Sequence, residues 1–182
     1  MAMTLITTNT DTPGSATDSA FTSGIDNTYK LYIFKWYDVN PGTDDVNFTF
    51  NGSTDSGSSY NVTKATTHWS AYHAEDDGYA GKGYGASQDL SDSDDGTAFQ
   101  PITGGIANDA DASSVGELFL FNPSNTTYVK HFYYTANSYK NDSASANTFT
   151  GGYFNTTSAI DAIVFRFTSG DFTGTIKMYG VG

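Results

Sequence analysis

Residues 159–182 read AIDAIVFRFTSGDFTGTIKMYGVG, and this stretch decides the fold class. Ile160, Ala162 and Val164 alternate with Ile163, Phe165 and Phe167. Ser169, Gly170 and Asp171 follow, with the chemistry of a turn. Then Phe172, Gly174, Ile176 and Met178 occupy every second position, with Thr173, Thr175 and Lys177 between them. Side chains that alternate with period two belong to strands, because successive residues of a strand point to opposite faces. Two such runs around a Gly-Asp turn predict a hairpin, with the end of the quoted chain tied into a sheet.

The same signature extends outward. Residues 29–37, YKLYIFKWY, put Tyr32, Phe34 and Trp36 on one face and Leu31 and Ile33 on the other. Two apolar faces predict a central strand covered on both sides. Val46, Phe48 and Phe50 alternate with Asn47 and Thr49 after an Asn40-Pro41-Gly42 turn. A polar strand spans residues 60–73, with Val62, Trp69 and Tyr72. Further strand signals lie at 98–102, 117–121, 128–134 and 148–154, and one at 4–8 near the start. Thirteen Tyr, thirteen Phe, two Trp and 19 Gly, with few strong helix formers, fit this pattern. The expectation is an all-β, single-domain antiparallel β-sandwich or jelly roll of nine or ten strands over residues 25–182. Residues 1–24, rich in Thr, Ser, Asp and Ala, read as an extended N-terminal arm.

Charge narrows the partners. Against 8 Lys and Arg stand 20 acids, 18 of them Asp, for a formal net charge of −12. Phosphate backbones need a basic surface, so nucleic acid is excluded as a partner, and anionic lipid is disfavoured. Asp favours turns and caps, which places the charge in loops. No apolar run is long enough for a membrane-spanning helix, and no leader pattern is visible. The chain contains no Cys, which removes disulfides, thiol nucleophiles and thiolate metal sites.

Candidate chemistry is sparse. His68, His73 and His131 are the only histidines; on one regular strand His68 and His73 face opposite sides, so neither zinc nor another cofactor is expected. An EF-hand wants acids at its first, third and fifth positions before a Gly; with Gly96 in that register the first and third are Ser91 and Ser93. Glu75, Asp76 and Asp77 lack a second carboxylate site to act against, so no enzyme is expected. Asn47, Asn51, Asn61, Asn125, Asn141 and Asn155 begin glycosylation sequons that the Asn, Ser and Thr content produces by chance. The irregular stretch 75–96 is long enough to carry function, and its Tyr79 and Tyr84, with Trp69 and Tyr72 on the preceding strand, are the candidate ligand-binding residues for stacking on sugar rings.

Five stretches carry a family resemblance: TDSGSSYNVT at 54–63, GTAFQPI at 96–102, LFNPSNTTYVKHF at 120–132, GGYFNTTSAIDAI at 151–163 and GTIKMYG at 174–180. Together, in this order, the chain resembles the small β-rich virion proteins of tailed phages of marine bacteria, cyanophages among them. The likeness covers residues 25–182 and departs at GDFTG, where relatives have a longer turn. It implies a structural protein exposed on the virion as a capsid decoration or tail-fibre subunit, assembled in the bacterial host cytoplasm with other virion proteins. It implies no catalytic residues. It also suggests a homo-oligomer, a trimer, held in part by the N-terminal arm on a neighbour's sheet edge. The alternative is a carbohydrate-binding or receptor-adhesion module that meets a host surface glycan.

Overall fold

The computed structural model describes residues 2–14 and 17–182. Among these there is no helix; twelve strands form two antiparallel sheets packed face to face as a β-sandwich. The strands are β1 (Met3–Asp11), β2 (Asp18–Phe21), β3 (Leu31–Pro41), β4 (Phe48–Ser53), β5 (Lys64–Ala74) and β6 (Ala80–Tyr84). They continue as β7 (Gln100–Pro101), β8 (Ser114–Phe121), β9 (Lys130–Tyr139), β10 (Ala144–Phe154), β11 (Ala162–Phe167) and β12 (Phe172–Val181). One sheet runs β1-β12-β3-β8-β9-β10-β5-β6, and the other β2-β11-β4-β7.

The expected C-terminal hairpin does not form. Both its strands exist, but β11 pairs with β2 and β4 in the small sheet, while β12 pairs with β1 and β3 in the large one. The turn at 168–171 is an arch between sheets. Alternation reports strands and faces, and it is silent on which partner each strand takes. Each side of the arch has an apolar face to bury, and facing each other across the core buries both. Phe165 shows the result. Its ring lies within 5.5–6.3 Å of the rings of Phe21, Phe34, Trp36, Phe48 and Phe50, so it touches both sheets at once.

Strand β3 is central, as expected, between β12 and β8. Its Tyr32, Phe34 and Trp36 are buried in the core. Its other face is only partly covered: Ile33 is 7% exposed, Leu31 is half-buried and Tyr37 is exposed. A bulge follows, with Asp38 at φ 51° and Gly174 of β12 at φ 138°. A Cβ on Gly174 would stand 2.8 Å from Val39 Cα, so only glycine lets the two strands close here. The bulge turns Val39 inward, where it is fully buried.

The described part of the N-terminal segment lies along the domain's own sheets. Strand β1 edges the large sheet by pairing with β12, and β2 edges the small sheet by pairing with β11. Phe21 is 1% exposed and packs edge-on to Phe34 at 5.3 Å. The segment has few apolar residues, but their spacing lets one chain border both sheets. The other missed strand is β6, inside the stretch expected to be irregular.

Two outcomes follow from the aromatic core. Phe165→Ala should destabilise the fold by about 3–5 kcal/mol, read as a lower denaturant midpoint with an unchanged slope. Deletion of residues 1–24 should lower the melting temperature in circular dichroism, since it removes Phe21 and uncovers the β11 and β12 edges.

Candidate binding surface

The outer face of the large sheet is built from the residues that alternate with the core. In one cross-strand row, Leu5, Tyr179, Ile33, Phe119, Tyr133, Gly151 and Thr67 stand opposite one another in sequence of strands. The adjacent row carries Lys177, Lys35, Glu117, Thr135, Phe149, Trp69 and Tyr84. Neighbouring strands lie about 4.8 Å apart, so each row is a continuous band of side chains. Lys35 pairs with Glu117 at 2.8 Å, which marks the polar part of the second row. Its other part is aromatic: Phe149 is 53% exposed, Trp69 51% and Tyr84 55%.

Gly151 makes this surface concave. A Cβ there would meet nothing within 4 Å, so the glycine leaves a notch between Tyr133 and Thr67. Thr67, Trp69, Tyr133 and Phe149 border the resulting open groove, about 340 Å³ in volume. Phe119 stacks on Tyr133 at 4.6 Å and 18°, which braces that wall, and Tyr84 meets Trp69 edge-on at 6.5 Å. Tyr84 is further held by a hydrogen bond from its hydroxyl to Asp89 Oδ2, which raises its pKa. Flat aromatic rings bordered by threonine hydroxyls match the two-sided chemistry of a sugar ring, apolar C–H faces with a polar rim.

The four candidate residues read from sequence divide into two pairs. Trp69 and Tyr84 stand together on the outer face. Tyr72, an odd number of positions from Trp69, turns to the opposite side of β5. There it contacts Tyr79 at 5.8 Å, with Lys140 Nζ 5.8 Å from its ring centroid. Tyr79 donates its hydroxyl to Asp142 O, and Tyr72 borders a small pocket of about 180 Å³ with His68 and Gln88. The two pairs therefore cannot grip one ligand. Tyr133, Phe149 and Phe119, which complete the surface, escape a sequence reading because they come from three different strands that only the sheet order brings side by side.

The acidic stretch folds back as a cover over β5. Asp89 Oδ1 accepts the His68 backbone N–H at 2.7 Å, and Leu90 O accepts Thr66 N–H at 2.9 Å. Asp76 and Asp95 cap turns by accepting from Gly78 and Thr97. Among the described residues, no three His, Asp or Glu gather as a metal set. The histidines are dispersed: His68 points inward, His73 is paired with Asp77 at 2.9 Å, and His131 lies beside Tyr153. No protein-family model, curated protein or solved structure matches this chain.

His68 makes stability depend on pH. It is 2% exposed, its Nδ1 lies 2.8 Å from Thr150 Oγ1, and burial lowers its pKa below 6.5. Unfolded histidine takes up a proton near pH 6.5 that the folded one refuses. Its contribution is thus full above that pH and is lost as pH falls towards the folded pKa. Melting temperature should fall between about pH 7 and about pH 5.5, and less so in a His68→Gln variant.

Proposed function

We propose that the chain is a non-catalytic structural subunit of a tailed-phage virion, exposed on the particle as a capsid decoration or tail-fibre component. The observation that carries this reading is the bare aromatic face of the large sheet. Several large rings left open on one flat surface are characteristic of a contact surface. The topology adds support. The series β1-β12-β3-β8 faces β2-β11-β4-β7, and each step from β1 to β4 changes sheet. We read these eight strands as a jelly roll extended on one side by β9, β10, β5 and β6, and the order supports that reading. Jelly rolls recur in viral capsid and lectin domains, which agrees with the resemblance of the sequence, although a fold alone never assigns a function.

The trimer suggested by the resemblance then rests on the outer face, because the N-terminal segment already borders its own sheets. The reading places the protein in the virion after assembly in the bacterial cytoplasm, among other virion proteins. Labelled antibody should mark the surface of purified particles at capsid or tail. Particles that lack the chain while infected cells contain it would overturn the reading.

The groove over Gly151 favours a second reading, adhesion to a host surface glycan. In affinity electrophoresis through polysaccharide gels, retardation should be weakened about tenfold or more in Trp69→Ala and in Phe149→Ala. Tyr72→Ala, on the other side of the sheet, should leave it unchanged.

A further inference from the structure

Lys64 opens β5 in the large sheet, and Asn51 belongs to β4 in the small one. Both are buried, at 1% and 0% exposure. Lys64 Nζ donates to Asn51 Oδ1 at 2.7 Å and to Val62 O at 2.8 Å, with the Phe154 ring centroid 5.7 Å away. Asp94 favours the ammonium only through space, and burial outweighs it, bringing the pKa from 10.5 down to about 7. Near neutral pH the uncharged amine is therefore far more populated here than for an ordinary lysine. Desolvation of this kind is how a lysine becomes a nucleophile.

The amide opposite is held for attack. Asn51 Nδ2 donates to Tyr60 O at 2.8 Å and to Gly96 O at 3.0 Å, which locks the side chain. Gly52 N–H donates to Oδ1 at 2.8 Å, where negative charge would gather in a tetrahedral intermediate. A C=O bond is about 1.2 Å long, so Nζ lies within about 4 Å of Asn51 Cγ. Reacting atoms in near-attack geometry stand about 3–3.5 Å apart, a small side-chain movement away.

We propose that Lys64 and Asn51 join in an intramolecular isopeptide bond that ties the two sheets together. The Nζ lone pair attacks Cγ and forms the new C–N bond. A proton passes from Nζ to Nδ2, the Cγ–Nδ2 bond breaks with its electron pair on nitrogen, and ammonia leaves. The product is a secondary amide; nothing is oxidised or reduced. In a chain without cysteine, this bond supplies the covalent tie that a disulfide supplies elsewhere. Lys130 is a built-in comparison. It too is buried, but its Nζ donates to two backbone carbonyls, Tyr128 O and Thr156 O, and to no side-chain amide, so it remains a free amine.

The test is peptide mapping of the full-length protein, denatured, amine-labelled and cut with chymotrypsin, which cleaves at Tyr60 between the two residues. The expected result is a branched peptide joining the Asn51 and Lys64 segments, an intact mass short by one ammonia, Lys64 unlabelled and Lys130 labelled. Cyclisation of Asn51 onto the Gly52 nitrogen also releases ammonia, so mass alone does not decide. Linear peptides with Lys64 labelled, in fresh and aged protein alike, overturn the proposal, whatever the intact mass. Lys64→Met should abolish the branched peptide; a branched peptide at Asn51 that persists in it overturns the proposal as well. The wild-type map is decisive even if that variant fails to fold.

Discussion

The contact of Phe165 with rings from both sheets is the constraint on which the rest of this sandwich depends. Placing β11 in the small sheet sets Phe165 against Phe48 and Phe50 beside it and against Phe34 and Trp36 across the core. It also forces the 168–171 turn to cross between sheets, which sends β12 into the large one beside β3. Only then does β12 offer an edge for β1, and β11 an edge for β2. The N-terminal segment is thereby drawn into the fold with very little apolar surface of its own. Edge strands need few anchors, because their main-chain hydrogen bonds are satisfied on one side by a strand already in place.

The large sheet is twice as wide as the small one, and this mismatch shapes the surface. One face of the large sheet builds the core, and the other is largely open to solvent, with Ile33 of β3 covered by its neighbours. An open antiparallel face normally alternates polar side chains against the core. Here it carries Phe119, Tyr133, Phe149, Trp69 and Tyr84, with a glycine notch among them. Beyond the span of the small sheet, the inner side of β5 is covered by the acidic stretch. That stretch spends its carboxylates on turn caps and on the His68 backbone, so its acidity is used structurally as well as for solubility.

Buried polar groups gather at the same end. Lys64, Asn51, His68 and Gln100 are all nearly inaccessible, and each meets partners at hydrogen-bond distance. Satisfying such groups fixes the relative position of the two sheets more sharply than apolar packing does, because hydrogen bonds are directional. The same confinement removes water from the Lys64 amine and brings it against an amide carbon, so a structural contact acquires chemical potential.

Local chemistry determined a good deal. Period-two alternation at 29–37, 46–50 and 159–182 specified strands and inward faces: Phe34, Trp36, Phe48, Phe165 and Met178 are all core. Composition specified the all-β class, and the absence of cysteine excluded thiol chemistry. Tertiary structure alone decided which strand pairs with which, since backbone hydrogen bonds carry no sequence label and turns such as 168–171 suit an arch as well as a hairpin. For the same reason it alone decided that β1 and β2 border the two sheets, whereas the divergence of Trp69 and Tyr72 already follows from their odd spacing on β5. It also set Tyr133 and Phe149 beside Trp69, and Lys64 against Asn51 across the two sheets. A binding surface or a reactive pair is a property of neighbours distant in sequence, and register, not composition, brings them together.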